Sequence, residues 1–309
     1  MSSIAYITDK KMIEYHRING NRNINFWKPS NAKKISNFKE GDFLFFLAKG
    51  TEKGRQREKG IIGYGKLKKN HILSFKQMWA KYGHRNGYPT KELLEDAIQK
   101  LTKNHKTPEF LSCFELEDVT FFQAPIYLSE IGLQISNKIE SFIYLDKENM
   151  LNTSKILEVA NQVGVDMWSG LFHEKEESLL IKDTQVNMIT NISEKLKTEI
   201  FTNYDISRIQ KFCQQFIKDH QRMICKTEWI DIQKDNIIIY LPCLVNTNDF
   251  MLKFQYMIGH YICYQSYIVN IEYAKEIEVR LIFNQLLGED IKKMLNNSGI
   301  KHKEKLDND

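Results

Sequence analysis

The sequence predicts an α+β protein of two domains, a compact barrel of short strands and small helices followed by an α/β domain with a small mixed sheet. Three observations predict this. The chain has 309 residues, about twice the length of a typical domain. Short apolar runs alternate with segments of helical periodicity. Near residue 147 the sequence changes from strand-rich to helix-rich. The predicted parts are 1–147, a helical connection at 148–180, and 181–309.

The first half contains apolar runs that are too short to be helices. Residues 42–47 read DFLFFL, which is typical of a strand buried on both faces. A charged loop at 49–60 separates this strand from the next, so the two form a hairpin with a long basic tip. The strands predicted in the first half are 2–7, 42–47, 61–67, 111–119 and an extended continuation at 121–126.

A polar helix and loop are predicted after the first strand, up to Asn25, and two further helices between the strands 61–67 and 111–119. Phe75–Tyr82 places apolar side chains at positions i, i+3, i+4 and i+7, the spacing of one helical face. Thr90 caps a helix at 91–102, whose first turns carry acidic residues, as the helix dipole favours.

The second half is predicted to be mostly helical around a few Ile-rich strands. The helices are 150–163, 184–203, 206–220, 250–263 and 287–296, and the strands are 228–232, 237–240 and 278–283. The charged end, 301–309, is expected to fray.

Charge is distributed unevenly along the chain. Residues 1–106 carry 23 Lys/Arg against 9 Asp/Glu, whereas the other 203 residues carry 21 against 30. A basic half joined to an acidic half indicates that the first half meets a polyanion. A solvated, lysine-rich surface is the alternative.

Several protein classes are excluded by composition and motifs. The five cysteines are odd in number and form no C-x-x-C, so neither a disulfide framework nor a structural zinc site is expected. No apolar run is long enough for a transmembrane helix, and the first eleven residues lack the apolar stretch of a secretory signal. A reduced, cytoplasmic protein is expected. The sequence contains no P-loop, G-x-S-x-G, H-E-x-x-H or HNH-like cluster. We therefore expect no cofactor and favour a binding protein over an enzyme.

Four segments of the first half match one known module. They read NFWKPS at 25–30, FKEGDFLFF at 38–46, IIGYG at 61–65 and WAKYGHRNG at 79–87. In this order they resemble the N-terminal module of HNH-type restriction endonucleases, which belongs to the PUA-like superfamily with the EVE and YTH domains. The resemblance covers residues 1–145 and implies a PUA-like β-barrel.

The resemblance also implies a pocket that holds one flipped, modified base between aromatic rings. Extruding a base costs a few kcal/mol, and each aromatic stack returns about 1–3 kcal/mol. Trp27 matches the first wall of such a cage, so Trp27→Ala is expected to abolish discrimination and leave the fold intact. Trp79 and Tyr82 could equally be core residues of an amphipathic helix, and the Asn-Gly pair at 86–87 a simple turn. The base-contacting candidates are Trp27, Trp79, Tyr82, Asn25, Ser30 and Asn86.

The hairpin and the strand after it carry most of the cations expected to contact phosphate. Such contacts supply affinity and salt dependence without sequence information. Arg55 and Arg57 are favoured, because a guanidinium fork matches a phosphate. A solvated loop is again the alternative. The phosphate-binding candidates are Lys53, Arg55, Arg57, Lys59, Lys66, Lys68 and Lys69.

The second half has the outline of a PD-(D/E)XK nuclease core. In that family one strand supplies an Asp and the next supplies E-x-K, which together hold a divalent cation and activate water. Asp231 occupies the first position, but the E-x-K positions are Tyr240 and Pro242. The outline therefore predicts a degenerate core without a metal site, and Asp231 with Mg²⁺ would matter only if the protein is a nuclease. An acidic interaction domain rich in tyrosine is the other interpretation.

Together these observations predict a DNA-binding protein that reads a modified base by base flipping, as the recognition component of a restriction or phage-defence system. Its expected partners are DNA carrying a modified base and, through the acidic half, another protein; no membrane contact is expected. Two alternatives remain open. One is a modification-dependent restriction endonuclease with a divergent catalytic domain, and the other is an RNA-binding PUA-like protein.

Overall fold

The computed structural model describes residues 3–29, 35, 37–102, 104–133, 139, 141–147, 152–167, 176–197, 200–214, 221–233, 236–247, 249–269 and 277–304. The chain divides into two compact units, Met1–Asn187 and Met188–Asp309. Each unit combines one sheet with helices, so the predicted α+β class is confirmed.

Unit 1 is built on a six-stranded sheet in the order β2-β5-β4-β3-β1-β6. Only β1 and β3 pair in parallel; the other neighbours are antiparallel. Among the described residues no pairing joins β2 to β6, so this sheet is open, whereas a closed barrel was predicted. The strands are β1 (Ile4–Thr8), β2 (Ile24–Lys28), β3 (Phe43–Ala48), β4 (Ile61–Leu73), β5 (Leu111–Ile126) and β6 (Phe142–Tyr144).

The apolar run of β3 explains why it is buried on both faces. Leu44 and Phe46 belong to one core cluster, and Phe43, Phe45 and Leu47 belong to another. Successive side chains of a strand point to opposite faces, so an uninterrupted apolar strand lies between two apolar layers. The predicted buried strand is confirmed.

Helices of unit 1 begin at well-defined caps. Ser74 and Gln77 form a reciprocal capping box at the start of α2, and Thr90 Oγ1 accepts from the backbone N–H of Leu93 at the start of α3. The predicted bounds of α2 are confirmed. The helices are α1 (Lys10–Ile18), α2 (Phe75–Tyr82), α3 (Lys91–Leu101) and α4 (Asn152–Val163), with 3-10 helices at Gly83–Asn86 and Leu128–Ile131.

The segment expected as a connection contributes to the core of unit 1. Ile156, Leu157 and Ala160 of α4 are buried in the cluster that contains Phe43 and Phe45. The long helix α5 (Glu176–Leu196) follows and begins within unit 1, which extends to Asn187.

Unit 2 has a five-stranded mixed sheet in the order β11-β10-β9-β8-β7. β7, β8 and β9 form an antiparallel meander, whereas β9, β10 and β11 are parallel. Parallel neighbours need crossover connections, and α7 and α8 lie in those two connections. The elements are α6 (Asn203–Gln214), β7 (Gln221–Cys225), β8 (Glu228–Ile232), β9 (Ile237–Cys243), α7 (Phe250–Ile268), β10 (Ile277–Phe283), α8 (Glu289–Asn297) and β11 (His302–Glu304).

Four strands were not predicted from the sequence: β2, β6, β7 and β11. Part of the end expected to fray, His302–Glu304, pairs with β10, because the edge of β10 offers backbone partners to a segment with no apolar pattern of its own. β2 matters most for function, since it carries Asn25 and Trp27. No helix of the described residues is long and apolar enough to cross a membrane.

Candidate nucleic-acid-binding site

Three neighbouring strands of unit 1 align the candidate residues on one face. In the register of β2, β5 and β4, Asn25 lies opposite Glu115, and Glu115 lies opposite Lys69. Two residues further along each strand, Trp27, Cys113 and His71 are aligned in the same way. Because directly opposite residues share a face, side chains distant in sequence meet here.

Asn86, in the 3-10 helix Gly83–Asn86, holds two of these side chains. Its Oδ1 accepts from Asn25 Nδ2 at 2.7 Å, and its backbone carbonyl accepts from Trp27 Nε1 at 2.9 Å. Its own Nδ2 donates to the carbonyl of Gly83 at 2.7 Å. Asn25, Trp27 and Asn86, named here the Asn86 cluster, are all buried, and Trp27 is only 6% exposed. The structure therefore joins three of the six predicted base-contacting residues.

Gly87 is required where it stands. It has a φ of +86°, and a Cβ there would lie 2.5 Å from Met12 Cγ and 3.0 Å from His16 Nε2. The Asn-Gly pair is thus a tight junction between the 3-10 helix and α1. Burial, and secondarily the charge of His84, lowers the pKa of His16 to about 3, so this imidazole is neutral near pH 7.

A second group of polar side chains lies beside the Asn86 cluster, at the same end of the sheet. Glu115 Oε2 accepts from the Tyr82 hydroxyl at 3.1 Å and lies 3.5 Å from Lys81 Nζ and 3.6 Å from His71 Nε2. Lys81 Nζ and His71 Nε2 are 2.8 Å apart. We name Glu115, Tyr82, Lys81 and His71 the Glu115 cluster; three of them were not predicted.

The pKa values of the Glu115 cluster are shifted by burial and by one another. Burial raises the pKa of Glu115, but the hydroxyl of Tyr82 and the ammonium of Lys81 outweigh it, so the net shift is downward. Burial and then the charge of Lys81 lower the pKa of His71. Burial and then Glu115 raise the pKa of Tyr82. Near pH 7 the cluster is therefore an ionised carboxylate with a protonated phenol and a neutral imidazole.

The remaining base-contacting candidates are placed differently. Trp79 is half-buried and packs against the apolar core of unit 1, as does buried Tyr82. Ser30 lies outside the described residues. Half-buried Tyr88, which was not predicted, lies 6.4 Å from Trp27 between ring centroids, at an interplanar angle of 46°.

Burial of Trp27 contradicts one expectation. Replacing it by alanine was expected to leave the fold intact, but the side chain fills part of the core and donates a buried hydrogen bond. Large-to-small substitutions of this kind cost about 3–5 kcal/mol, because both the packing and the donor are lost. Trp27→Ala is therefore not a neutral probe of base recognition.

The predicted phosphate-binding residues fall into two sets. At the hairpin, Arg55 and Arg57 are exposed, Lys59 is half-buried, and Lys53 pairs with Glu130 and lies 4.8 Å from the centroid of the Tyr127 ring. The other set lies along β4. There Lys69 is exposed, and Lys68 lies 3.6 Å from Glu117.

Lys66 is already neutralised inside the protein. Its Nζ lies 2.6 Å from Asp183 Oδ1 and 3.2 Å from Asp118 Oδ2, and the other oxygen of Asp183 accepts from the Tyr64 hydroxyl at 2.8 Å. Only 13% of the Lys66 side chain is exposed. This lysine anchors α5 to the sheet of unit 1, and its charge is directed inward.

The two sets lie toward opposite ends of β4. The hairpin tip immediately precedes Ile61, whereas His71 of the Glu115 cluster is near the other end. Ten residues of extended chain span at most about 33 Å, and three register shifts shorten that distance here. Lys69 is the predicted cation closest along the strand to the Glu115 cluster.

In unit 2, Asp231 lies on β8, next to β9, which carries Tyr240 and Pro242. Asp231 is buried; Gln233 Nε2 lies 3.1 Å and the Tyr240 hydroxyl 3.5 Å from its Oδ2. At the E-x-K positions the structure thus places a phenol and a proline, which supply neither a second carboxylate nor a lysine. Within the described parts of the chain, no group of three His, Cys, Asp or Glu side chains could hold a metal ion. The residues do not fit the two-strand Mg²⁺ site of that nuclease family.

Comparison with protein-family models and with curated proteins gave no match. Among solved structures, the chain is similar to the ASCH protein from Zymomonas mobilis, with 18% identity and a TM-score of 0.36 over 50% of this chain and 94% of that one. A mutant of the same Zymomonas mobilis protein matches with 16% identity and a TM-score of 0.38, over 52% and 99%. At such values no residue role or activity carries over.

Proposed function

We propose that unit 1 is a nucleic-acid-binding domain and that it takes up one modified DNA base at the Asn86 and Glu115 clusters. One observation carries the proposal. A single hydrogen-bonded group joins Asn25 and Trp27 to Asn86, which lies 61 and 59 positions further along the chain. The partly exposed Glu115 cluster lies beside this group. Polar groups able to meet a base edge are thus held beside aromatic rings on a rigid sheet.

Cations around this end supply the attraction for phosphate. Lys69 is exposed, Lys81 has 41% of its side chain exposed, and half-buried Arg85 lies 5.9 Å from the centroid of the Tyr82 ring. Each phosphate contact releases counterions and strengthens binding without reading sequence. The exposed arginines of the hairpin extend this cationic surface toward the other end of β4.

Aromatic side chains supply the stacking. Tyr88 is half-buried and tilted against Trp27, so uptake of a base involves separating these two rings. The base then replaces a ring–ring contact by ring–base stacking, worth about 1–3 kcal/mol per stack. Trp27 is held by a buried hydrogen bond of 2.9 Å to Asn86, whereas the Tyr88 hydroxyl makes an exposed one of 3.4 Å to Asp9, so we assign movement to Tyr88.

Unit 2 then serves to recruit a protein partner, in a restriction or phage-defence system. Its Lys/Arg and Asp/Glu are equal in number, 16 of each, so it has no excess of positive charge to attract DNA. The E-x-K positions of the nuclease outline carry Tyr240 and Pro242. The modified-base role of unit 1 and the recruiting role of unit 2 can be tested separately.

The test is binding of the full chain to short duplexes that carry 5-methylcytosine, 5-hydroxymethylcytosine, N6-methyladenine or no modification. Binding is measured with and without Mg²⁺ over a range of salt, together with a single-stranded RNA of matched sequence. We expect tighter binding to one modified duplex, a negative salt slope and no cleavage.

Each other outcome has a definite meaning. Cleavage that requires Mg²⁺ would overturn the recruiting role and favour a divergent nuclease. Tighter binding to RNA than to every duplex would replace DNA by RNA as the ligand. Equal, weak binding to all of them would leave only a basic surface.

A further inference from the structure

The tip of the hairpin, residues 53–58, is a closed turn. Lys53 and Glu58 exchange two backbone hydrogen bonds, at 2.9 and 3.0 Å. Between them, the N–H of Arg57 donates to the carbonyl of Gly54 at 3.1 Å. Arg57 has a φ of +52°, in the left-handed region that is strained for a residue with a side chain. The backbone at this position favours glycine, yet it carries an arginine.

The half-buried carboxylate of Glu58 fastens the tip to the 3-10 helix Leu128–Ile131. Its Oε1 accepts from the backbone N–H of Ser129 at 2.9 Å, and its Oε2 accepts from the Ser129 hydroxyl. Both oxygens of one carboxylate thus bind donors of a single residue, which fixes the direction of the side chain as well as its distance. The negative charge of Glu58 is therefore used to hold the turn.

Contacts at the base of the tip hold it to the same segment. The Tyr127 hydroxyl donates to the carbonyl of Thr51 at 2.7 Å. The hydroxyl of Thr51 accepts from the backbone N–H of Gly60 at 2.8 Å and so joins the two sides of the hairpin. A Cβ at Gly60 would lie 2.5 Å from Pro125 Cβ, so the hairpin packs closely on this segment. The tip is therefore held at its base as well as through Glu58.

The two arginines of the tip take no part in holding it through their side chains. Arg55 and Arg57 are exposed, and neither belongs to an ion pair among the residues that the structure describes. Their guanidinium groups are therefore available to a phosphate, whereas the backbone that carries them is already ordered. The residues that can bind and the residues that hold the turn are thus different.

We propose that Glu58, Ser129 and Tyr127 are positioning residues for nucleic-acid binding. They keep the hairpin tip in one conformation, which raises the affinity of its two arginines for phosphate, and they do not touch the ligand. A loop that becomes ordered on binding loses conformational entropy at that moment, whereas a tip ordered beforehand does not. This inference rests on the proposed nucleic-acid function of unit 1. It goes beyond that function because it assigns a role to three residues without positive charge and replaces the solvated loop by a preformed one.

Removal of Glu58 distinguishes positioning from simple electrostatics, because the two predict changes of opposite sign. Glu58→Met takes a negative charge away from the hairpin, so charge alone would strengthen binding to nucleic acid. Loss of positioning should instead weaken binding by about fivefold, the effect of having to order one or two side chains on association.

Glu52→Gln is the matched control. It removes the same charge from the same hairpin, but the carboxylate of Glu52 accepts from the nearby N–H of Gly50 at 2.9 Å, a contact that an amide oxygen can keep. This variant should bind as tightly as the native chain or more tightly.

Binding of the full chain to a short unmodified duplex is measured by fluorescence anisotropy over a range of salt. The slope against salt counts phosphate contacts, so it should stay unchanged in Glu58→Met while the affinity falls. Ser129→Ala and Tyr127→Phe each remove one hydroxyl and should weaken binding by about twofold at unchanged slope. Arg57→Gly relieves the left-handed backbone, so it should not lower the melting temperature, and its slope should be shallower by about 1.

A background without the arginines tests whether the effect passes through them. Where Arg55 and Arg57 are both alanine, the tip has no guanidinium group to position. Adding Glu58→Met to that background should therefore change the affinity by less than about 1.5-fold. A structural effect of Glu58→Met on the rest of unit 1 would persist there.

The inference and the function are overturned by different results. The positioning role is overturned if Glu58→Met binds as tightly as the native chain or more tightly, or if its loss is equal in the arginine-free background. The nucleic-acid function itself is overturned if the native chain binds neither the duplex nor a single-stranded RNA, even at low salt. Circular dichroism and thermal unfolding establish that each variant is folded. If Glu58→Met is not, Ser129→Ala and Tyr127→Phe decide instead, and native affinity in both overturns the positioning role.

Discussion

Polar side chains near the two ends of strand β4 are held in opposite ways. At the hairpin end, Arg55 and Arg57 are exposed, and exposed Lys53 pairs with the surface residue Glu130 and lies over the Tyr127 ring. At the other end, Asn25 and Asn86 are completely buried, and the hydrogen bond between their side chains runs from Asn25 Nδ2 to Asn86 Oδ1.

This difference separates affinity from specificity. A mobile cation can follow a phosphate backbone but reads no sequence. A buried amide or a partly buried carboxylate accepts only a group of matching shape and polarity, since an unpaired buried partner costs about 1–3 kcal/mol. The same strand therefore connects a region suited to attraction with a region suited to selection, and the two respond differently to mutation.

The largest expected effect is at the buried end. Trp27→Ala should lower the free energy of unfolding of unit 1 by about 3–5 kcal/mol, because it leaves a cavity and removes the donor to Asn86. Urea denaturation followed by circular dichroism measures this. Trp27→Phe, which keeps most of the volume and loses the N–H, should cost about 1–3 kcal/mol. If the Trp27→Ala variant were as stable as the native protein, the burial of the Trp27 side chain would be contradicted.

The next effect compares two lysines of β4 that the sequence does not distinguish. Lys66→Ala should lower stability by about 3 kcal/mol, because it leaves the buried carboxylate of Asp183 without its cation. Lys69→Ala should leave stability within about 0.5 kcal/mol and reduce the salt slope of nucleic-acid binding by about 1. Equal effects of the two substitutions on stability would remove the distinction.

Acid should lower the free energy of unfolding of unit 1 through the buried side chain of His16. The pKa of His16 is lowered to about 3 by burial, below the value near 6.5 of an unfolded histidine. Between these values the unfolded chain binds a proton that the folded chain does not, so stability falls as the pH falls. From pH 6.5 to pH 5 the loss from this group is about 2 kcal/mol.

Denaturation at several pH values checks this, with His16→Gln as the control. The glutamine variant is less stable at neutral pH but should lack this part of the pH dependence. Identical slopes in the two proteins would show that other groups account for the acid sensitivity.

The smallest effect on stability is expected at the hairpin. Arg55 and Arg57 are exposed, so changing both to alanine should alter the free energy of unfolding by less than about 0.5 kcal/mol. The salt slope of binding should become shallower by about 2 if both contact phosphate. Titration at four or more salt concentrations measures it; an unchanged slope would exclude the hairpin as a phosphate contact.

Part of this molecule could be predicted from local sequence alone. The apolar run of β3, the bounds of α2, the Thr90 cap and the strands β8, β9 and β10 of unit 2 follow from periodicity and capping, which act over a few residues. The physical causes of these features lie within the segments themselves. Local sequence was therefore enough to predict them, and the structure confirms the predictions.

Other elements depended on partners far away in the chain. β11 and β7 have no apolar alternation of their own and are strands because a neighbouring edge pairs with them. Glu115 was not predicted as a site residue, although its position opposite Lys69 could have been found by aligning the two strands of the predicted sheet.

The sequence by itself determined the α+β class, the concentration of positive charge in residues 1–106, and the choice of Asn25, Trp27 and Asn86 as residues to examine. Only the tertiary structure decided that these three are buried and bonded to one another, that Lys66 faces inward to Asp183 while Lys69 is exposed, and that Glu115 accepts the Tyr82 hydroxyl beside them. The physical reason is that burial and hydrogen-bond pairing depend on which strands become neighbours. Strand order and register are set by the packing of the whole sheet, and no segment contains them.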